Sequence, residues 1–118
     1  MQGTETMDEL KKAFSATSFR SGFLKLAILK MISERPMHGY ALMKEIERLT
    51  GKDWRPSPGS IYPALSELQR QGLISLSVQG RKRIYEITPQ GQAILGIAVE
   101  HVKEGMTALQ RLLDYRAE

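Results

Sequence analysis

Apolar side chains recur along this chain at helical spacing, then at strand spacing, then at helical spacing again, and the switches predict the order of elements. Met7, Leu10 and Phe14 mark one face of a short amphipathic helix, and Thr6-Met7-Asp8-Glu9 has the form of a capping box at its start. From 22 to 32 the apolar residues are too dense for a single stripe (Phe23, Leu24, Leu26, Ala27, Ile28, Leu29, Met31, Ile32), which predicts a helix buried on several sides and stopped by Arg35-Pro36. A third helix over 39–49 places Ala41, Leu42, Ile46 and Leu49 on one face and closes at Gly51. After the breaker-rich connection 54–60, Ile61, Leu65 and Leu68 define a fourth helix ending at Gly72. Its start has two readings. Ser57 with Pro58 at the first helical position leaves Pro63 inside the helix, whereas a start at Ser60 puts Pro63 in the first turn.

The period then changes. Ile74, Leu76 and Val78 alternate with Ser75 and Ser77, Gln79-Gly80 supplies a turn, and 83–87 returns as a second strand. Thr88-Pro89 is a cap followed by a first helical residue. A long helix then runs to Tyr115 with Ile94, Ala98, Val102, Met106, Leu109 and Leu113 as its stripe. The predicted fold is mainly α with a small two-stranded β-wing: a winged helix-turn-helix with an additional N-terminal helix and a long C-terminal dimerisation helix. The expected organisation is 1–21, N-terminal helix and connection; 22–88, winged-helix domain; 89–118, dimerisation helix.

Composition narrows the classes. The 118 residues fit one domain with a modest core. With no cysteine, disulfides and thiolate metal sites are excluded. The first residues lack the apolar segment of a secretory signal, and no apolar run approaches the ~20 residues of a membrane span, so a cytoplasmic protein without a membrane partner is expected. The net charge of +4 is mild, but six basic residues (Lys52, Arg55, Arg70, Arg81, Lys82, Arg83) face only two acids (Asp53, Glu67) between 52 and 83, so the whole excess lies there. That fits one anion-binding surface, or a solvated basic loop.

Two helices joined by a tight turn and followed by a basic hairpin suit double-stranded DNA: a helix fits the major groove, and a cationic hairpin tip can follow the adjacent backbone. A protein-binding winged helix is the alternative. On a helical wheel Ile61, Ala64, Leu65 and Leu68 face inward, while Gly59, Pro63, Ser66 and Arg70 face outward with Tyr62 and Glu67 on the shoulders. Such an outward stripe of small residues allows close approach to base edges and backbone. Signs of catalysis are poor. His38 and His101 lack partners at ligand or catalytic spacing, Ser57 and Ser60 lack a base, and the glycines form no phosphate-cradling loop, so no enzyme, cofactor or metal is expected. Methionine and aromatic positions at helical spacing read as core, or as lining for a ligand pocket at a dimer interface.

The run His38-Gly39-Tyr40, then Pro58-Gly59-Ser60-Ile61-Tyr62-Pro63-Ala64-Leu65, Leu68, Gly72-Leu73-Ile74, Gly80-Arg81-Lys82-Arg83, Tyr85, Thr88-Pro89 and Gly91 resembles PadR-type transcriptional regulators over 24–91. The resemblance implies a homodimeric, often ligand-responsive repressor whose C-terminal helix dimerises, here of the short kind with one such helix. It implies that Ser60, Tyr62 and Pro63 lie in the DNA-facing part of the recognition helix, with Arg81 and Lys82 at the wing. Some relatives hold flat aromatic effectors between tryptophans of their C-terminal helices, but the only tryptophan here is Trp54, before the recognition helix. The expected DNA face is therefore Gly59, Ser60, Tyr62, Pro63, Ser66, Arg70, Gly80, Arg81, Lys82 and Arg83. The expected dimer interface is Met7, Leu10, Phe14, Ile94, Ala98, Val102, Met106, Leu109 and Leu113, and a small-molecule effector remains unidentified.

Overall fold

The computed structural model describes residues 2–13, 16–51 and 54–118, of which the side chains of 2, 10–13 and 16–21 are not described. Its elements are α1 (Gln2–Ala13), α2 (Ala16–Glu34), α3 (Gly39–Leu49), α4 (Pro58–Arg70), β1 (Ile74–Gln79), β2 (Lys82–Ile87) and α5 (Pro89–Leu113), in the order predicted. Helix α2 is the hub, packing against α3, α4, α5 and β2. This is why its apolar residues are spread round the helix: Leu24, Ala27, Ile28, Leu29 and Ile32 are buried, and Phe23, Leu26 and Met31 pack at the margin. Leu42, Met43 and Ile46 from α3, Ile61, Ala64, Leu65 and Leu68 from α4, and Leu73, Ile74, Tyr85 and Leu95 complete one core.

Two expected helix starts move. Helix α1 begins at Gln2, so Thr6 lies inside it and is not a cap; the carbonyls of the preceding turn take the amides that the capping box would have satisfied. Helix α2 begins at Ala16, so the boundary expected at 21/22 falls within a continuous helix, whose apolar density only begins at its second turn.

The start of α4 is the Ser57 reading. Ser57 is the N-cap, its carbonyl accepts from Ser60 and Ile61 N–H at 3.0 and 2.9 Å, and Pro58 opens the helix. Pro63 therefore sits inside α4, where it denies the Gly59 carbonyl an N–H partner. Both residues are exposed, so solvent replaces the missing bond. The helix closes with Leu73 N–H donating to Leu68 O and Gly72 N–H to Gln69 O, both at 3.0 Å, a Schellman arrangement that turns the chain into β1.

Strands β1 and β2 pair antiparallel from Ile74↔Ile87 to Gln79↔Lys82. The turn is thus Gly80-Arg81, one residue later than expected, and β2 starts at Lys82. Gly80 takes φ +63, the left-handed value that a two-residue hairpin needs at its first central position, and this fixes the register. Only the root of the hairpin is covered: Ile74 and Tyr85 are buried, but Val78, expected on the covered face, projects into solvent. Sequence periodicity does not show a third participant. Met37 and Tyr85 exchange both backbone hydrogen bonds (3.1 and 2.8 Å), tying the extended segment before α3 to β2.

Helix α5 starts on Thr88, whose Oγ1 accepts from Gly91 N–H at 3.0 Å and donates to Gly72 O at 2.7 Å. Gly91 is needed for space: a Cβ there would fall 2.0 Å from Leu73 O. Leu95 is buried and Ala98 and Val99 are half-buried, so the first turns of α5 belong to the winged-helix core. Every residue from 100 onwards is exposed, and the helix ends at Leu113, short of the expected Tyr115. The radius of gyration is 17.4 Å and the longest extent 61 Å; a compact domain of this length would have a radius of about 13–14 Å.

Candidate nucleic-acid interface

The outward face of α4 is the one the wheel predicts. Ile61, Ala64, Leu65 and Leu68 are buried, whereas Gly59, Ser60, Tyr62, Pro63, Ser66 and Arg70 are exposed. The hydroxyls of Ser57 and Ser60 lie 3.3 Å apart on this surface. Arg70 is not an open charge. Its Nε donates to Glu67 Oε2 at 3.2 Å, a second guanidinium nitrogen binds the same oxygen, and Gln71 donates to Oε1 at 3.1 Å. These bonds to Arg70 hold the Glu67 carboxyl below the usual carboxylate range. Glu67 therefore partly neutralises the C-terminal end of this face in the free protein.

The wing differs. Arg81, Lys82 and Arg83 are exposed, and among the described residues none of them forms an ion pair. Gly80 at the turn lets the three cations project from the hairpin tip. Of the other residues in the basic stretch, Arg55 pairs with Glu47 at 3.4 Å and stacks on the Tyr40 ring at 5.5 Å, with Lys44 over the same ring at 5.2 Å. Lys52 lies outside the described residues.

Helix α3, α4 and the wing meet in a groove of about 350 Å³ lined by His38, Gly39, Tyr40, Tyr62, Arg81, Lys82, Arg83 and Tyr85. No carboxylate lines it. His38 caps α3 by accepting the Ala41 N–H on Nδ1 at 3.2 Å. Gly39 lies under Tyr62: a Cβ on it would stand 2.8 Å from Tyr62 Cε1 and 2.9 Å from its hydroxyl. Tyr62 is 43% exposed, with one edge of its ring on α3 and the rest facing the groove. Tyr85, read from the sequence as a strand residue and as one of those that carry the family resemblance, is 5% exposed, and burial pushes its phenol above the usual tyrosine range. Sequence reasoning missed Tyr40, Lys44 and Tyr85 as surface or groove elements, because residues from three distant segments meet only through the Met37–Tyr85 bridge.

The expected dimer residues are apolar and uncovered in the single chain. Ile94, Val102, Met106, Leu109 and Leu113 are exposed, as is Met7, and Ala98 is half-buried. Leu10's side chain and Phe14 lie outside the described residues. Ile97, Leu112 and Tyr115 add exposed apolar surface that the stripe did not include. Trp54 packs edge-on to Phe23 of α2 with ring centroids 6.1 Å apart. Among the described residues no three side chains gather that could hold a metal ion, and no helix is long and apolar enough to cross a membrane.

Comparison with known proteins agrees with this arrangement. The transcriptional regulator YqjI of Escherichia coli is 46% identical over 74 residues, covering 62% of this chain and 36% of YqjI, so the chain spans about a third of that relative's length. The crystal structure of a PadR-like transcriptional regulator from Bacillus cereus superposes with a TM-score of 0.75 at 28% identity, covering 84% of this chain and 99% of that one. Bacillus subtilis PadR, solved in complex with operator DNA, matches with a TM-score of 0.57 at 28% identity over 65% of this chain and 46% of that one. The profile of the transcriptional regulator PadR-like family covers residues 28–97, from the middle of α2 through the wing to the first turns of α5. The fold is a winged helix, and the chain belongs to the PadR-like family of transcriptional regulators.

Proposed function

We propose that this chain binds double-stranded DNA as a homodimer and regulates transcription, acting as a repressor rather than an enzyme, in the compartment that holds the chromosome. The observation that carries the reading is the joint surface of α4 and the wing. An exposed stripe of small residues with room for a groove floor stands beside three consecutive cations that no carboxylate of the described residues neutralises. Gly59, Ser60, Tyr62, Pro63 and Ser66 approach the bases and sugar-phosphate edge; Arg81, Lys82 and Arg83, with Gly80 shaping their turn, follow the backbone. Arg70 joins them after leaving Glu67. The operator complex of the Bacillus subtilis relative supports the same use of the fold.

Dimerisation follows from α5. Its uncovered apolar surface, Ile94, Ala98, Val102, Met106, Leu109 and Leu113, is continuous along a helix of roughly 37 Å at 1.5 Å per residue, more than so small a domain can cover alone. Met7, Leu10 and Phe14 of the N-terminal segment join that interface. A two-fold dimer presents two α4 helices to half-sites one helical turn apart. An effector that acts on this dimer binds without a tryptophan sandwich on α5, which has no tryptophan.

The deciding experiment is the salt dependence of binding to DNA upstream of the protein's own gene. Lys82→Ala should weaken specific and unrelated duplexes alike and reduce the slope of log K against log salt by about one for each phosphate left unneutralised. An unchanged slope makes Lys82 a solvated charge. A wild-type protein that binds no duplex makes the winged helix a protein-interaction module. A promoter-reporter assay gives the sign of regulation.

A further inference from the structure

We infer that the groove between the start of α3, helix α4 and the wing seats one phosphate of the DNA backbone, and that the hydroxyl of the largely buried Tyr85 is a donor to it. The inference rests on the DNA-binding reading above and deepens it, because it names a contact that neither the wing tip nor the outward face of α4 contains.

The groove's chemistry is one-sided. Its lining offers three phenols, two guanidiniums, an ammonium and an imidazole, and no Asp or Glu. Of these, Tyr85 is the informative one. It is 5% exposed, it lines the groove, and among the described residues its hydroxyl has no hydrogen-bond partner. No buried side-chain polar atom of the described residues lacks a partner, so the ring is covered while its hydroxyl is the part that meets the groove, where an acceptor can reach it. The acceptor that the surroundings favour is an anion, since Arg81, Lys82 and Arg83 face the same space. The phenol stays protonated at neutral pH, its ionisation opposed by burial, so it donates.

Position narrows the anion to a backbone phosphate. The groove lies where the duplex backbone must pass when α4 occupies one major groove and the wing follows the neighbouring strand. Tyr62 borders it from the helix side, on Gly39, and Tyr85 from the wing side. A phosphate between them would be held from both recognition elements at once and would fix the register of α4 against the wing without reading a base. Tyr85 is well placed for this because its own backbone is doubly bonded to Met37, so its hydroxyl cannot swing away with the hairpin tip.

The test is Tyr85→Phe in the full chain. Because the hydroxyl has no partner in the free protein, its removal should leave the melting temperature unchanged or raise it. Affinity for both a specific and an unrelated duplex should fall roughly tenfold or more, the loss of a hydrogen bond to a charged acceptor. Ethylation interference should identify a phosphate in each half-site whose modification blocks wild type but no longer matters to the variant. A lowered melting temperature assigns the hydroxyl to the fold and overturns the inference; so does wild-type affinity with an unchanged interference pattern. If inorganic phosphate raises the melting temperature of wild type but not of Tyr85→Phe while the two bind DNA equally, the groove serves free phosphate and the backbone contact is overturned. Failure of wild type to bind either duplex rejects the DNA reading itself, a result distinct from all of these.

Discussion

Gly39→Ala should separate DNA binding from stability, and its effect can be worked from the geometry. The added Cβ would stand 2.8 Å from Tyr62 Cε1, 2.9 Å from its hydroxyl and 3.0 Å from Cζ. Carbon atoms rest at about 3.5–4.0 Å, so the ring must retreat by about 0.7–1.2 Å. It can do so cheaply, because Tyr62 is 43% exposed and the clash is with the far end of its side chain. Gly39 opens α3, and alanine there loses less chain entropy on folding, a gain of about 0.4–1 kcal/mol that offsets the displacement. The variant should therefore melt within a few degrees of wild type. Binding is another matter. An O–H···O bond spans roughly 2.5–3.0 Å, so a shift of this size removes a phosphate contact made by Tyr62. At about 1.5–3 kcal/mol for a charged acceptor, the loss is roughly 10- to 150-fold per site, with two sites in a dimer. Tyr62→Phe, which removes the same hydroxyl, should fold normally and lose on the order of 100-fold in operator affinity. Titration of one duplex with wild type, each single variant and the double variant gives a thermodynamic cycle. Adding Gly39→Ala to Tyr62→Phe should cost little further. If the two losses simply add, Tyr62 is not the link between Gly39 and DNA, and the reasoning fails.

Three further outcomes are expected. Gly91→Ala drives a methyl into backbone, 2.0 Å from Leu73 O, and cannot be relieved by a rotamer; it should break the Thr88 N–H···Leu73 O bond and cost roughly 2–4 kcal/mol, read as a fall in thermal midpoint well beyond that of Gly96→Ala, where a methyl meets nothing. A chain ending at Glu100 keeps Leu95 and Val99 in the core but loses the exposed half of α5, so it should sediment as a folded monomer, whereas the full chain should sediment as a dimer. Glu67, whose carboxyl is held down by Arg70, contributes to stability above its unfolded value near pH 4.3, a contribution lost as pH falls through the lower folded value; carbon NMR should show its midpoint rising in Arg70→Ala, and an unmoved midpoint would mean the pair does not persist in solution.

How much of this was legible in the sequence follows from how far apart the deciding residues lie. Helix α3, the Thr88 cap, the inward face of α4 and the stripe on α5 could be read because period and punctuation are local properties. Ile61, Leu65 and Leu68 must share a face whatever surrounds them. Local signals also misled. Thr6 and Glu9 form a capping box only if the helix starts there, and it does not. Gln79-Gly80 has the composition of the turn, but the positive φ of Gly80 is needed at its first central residue, which moves each β1 residue's partner on β2 by two positions. The two alternatives for α4 could not be separated from composition, since Pro63 is tolerable inside a helix when the lost bond faces solvent. The groove was hidden for a different reason. His38, Tyr62 and Tyr85 come together through an isolated bridge at Met37, a segment with no strand periodicity of its own.

That single bridge bears on how such a molecule could be switched. Because Met37 and Tyr85 are bonded through both backbone groups and Tyr62 rests on Gly39, the wing root, the start of α3 and the seat of Tyr62 are tied to one another. If the proposed dimer pairs through α5, a signal that leaves these ties intact can still act on the angle at which the two winged-helix domains are mounted on that pair. Acting over half of the 61 Å length, a turn of about 10° carries a recognition helix roughly 5 Å, a large error against half-sites set ~34 Å apart. A small adjustment at the far end of α5 would then be enough to take both reading heads out of phase with the duplex, with neither of them changing shape.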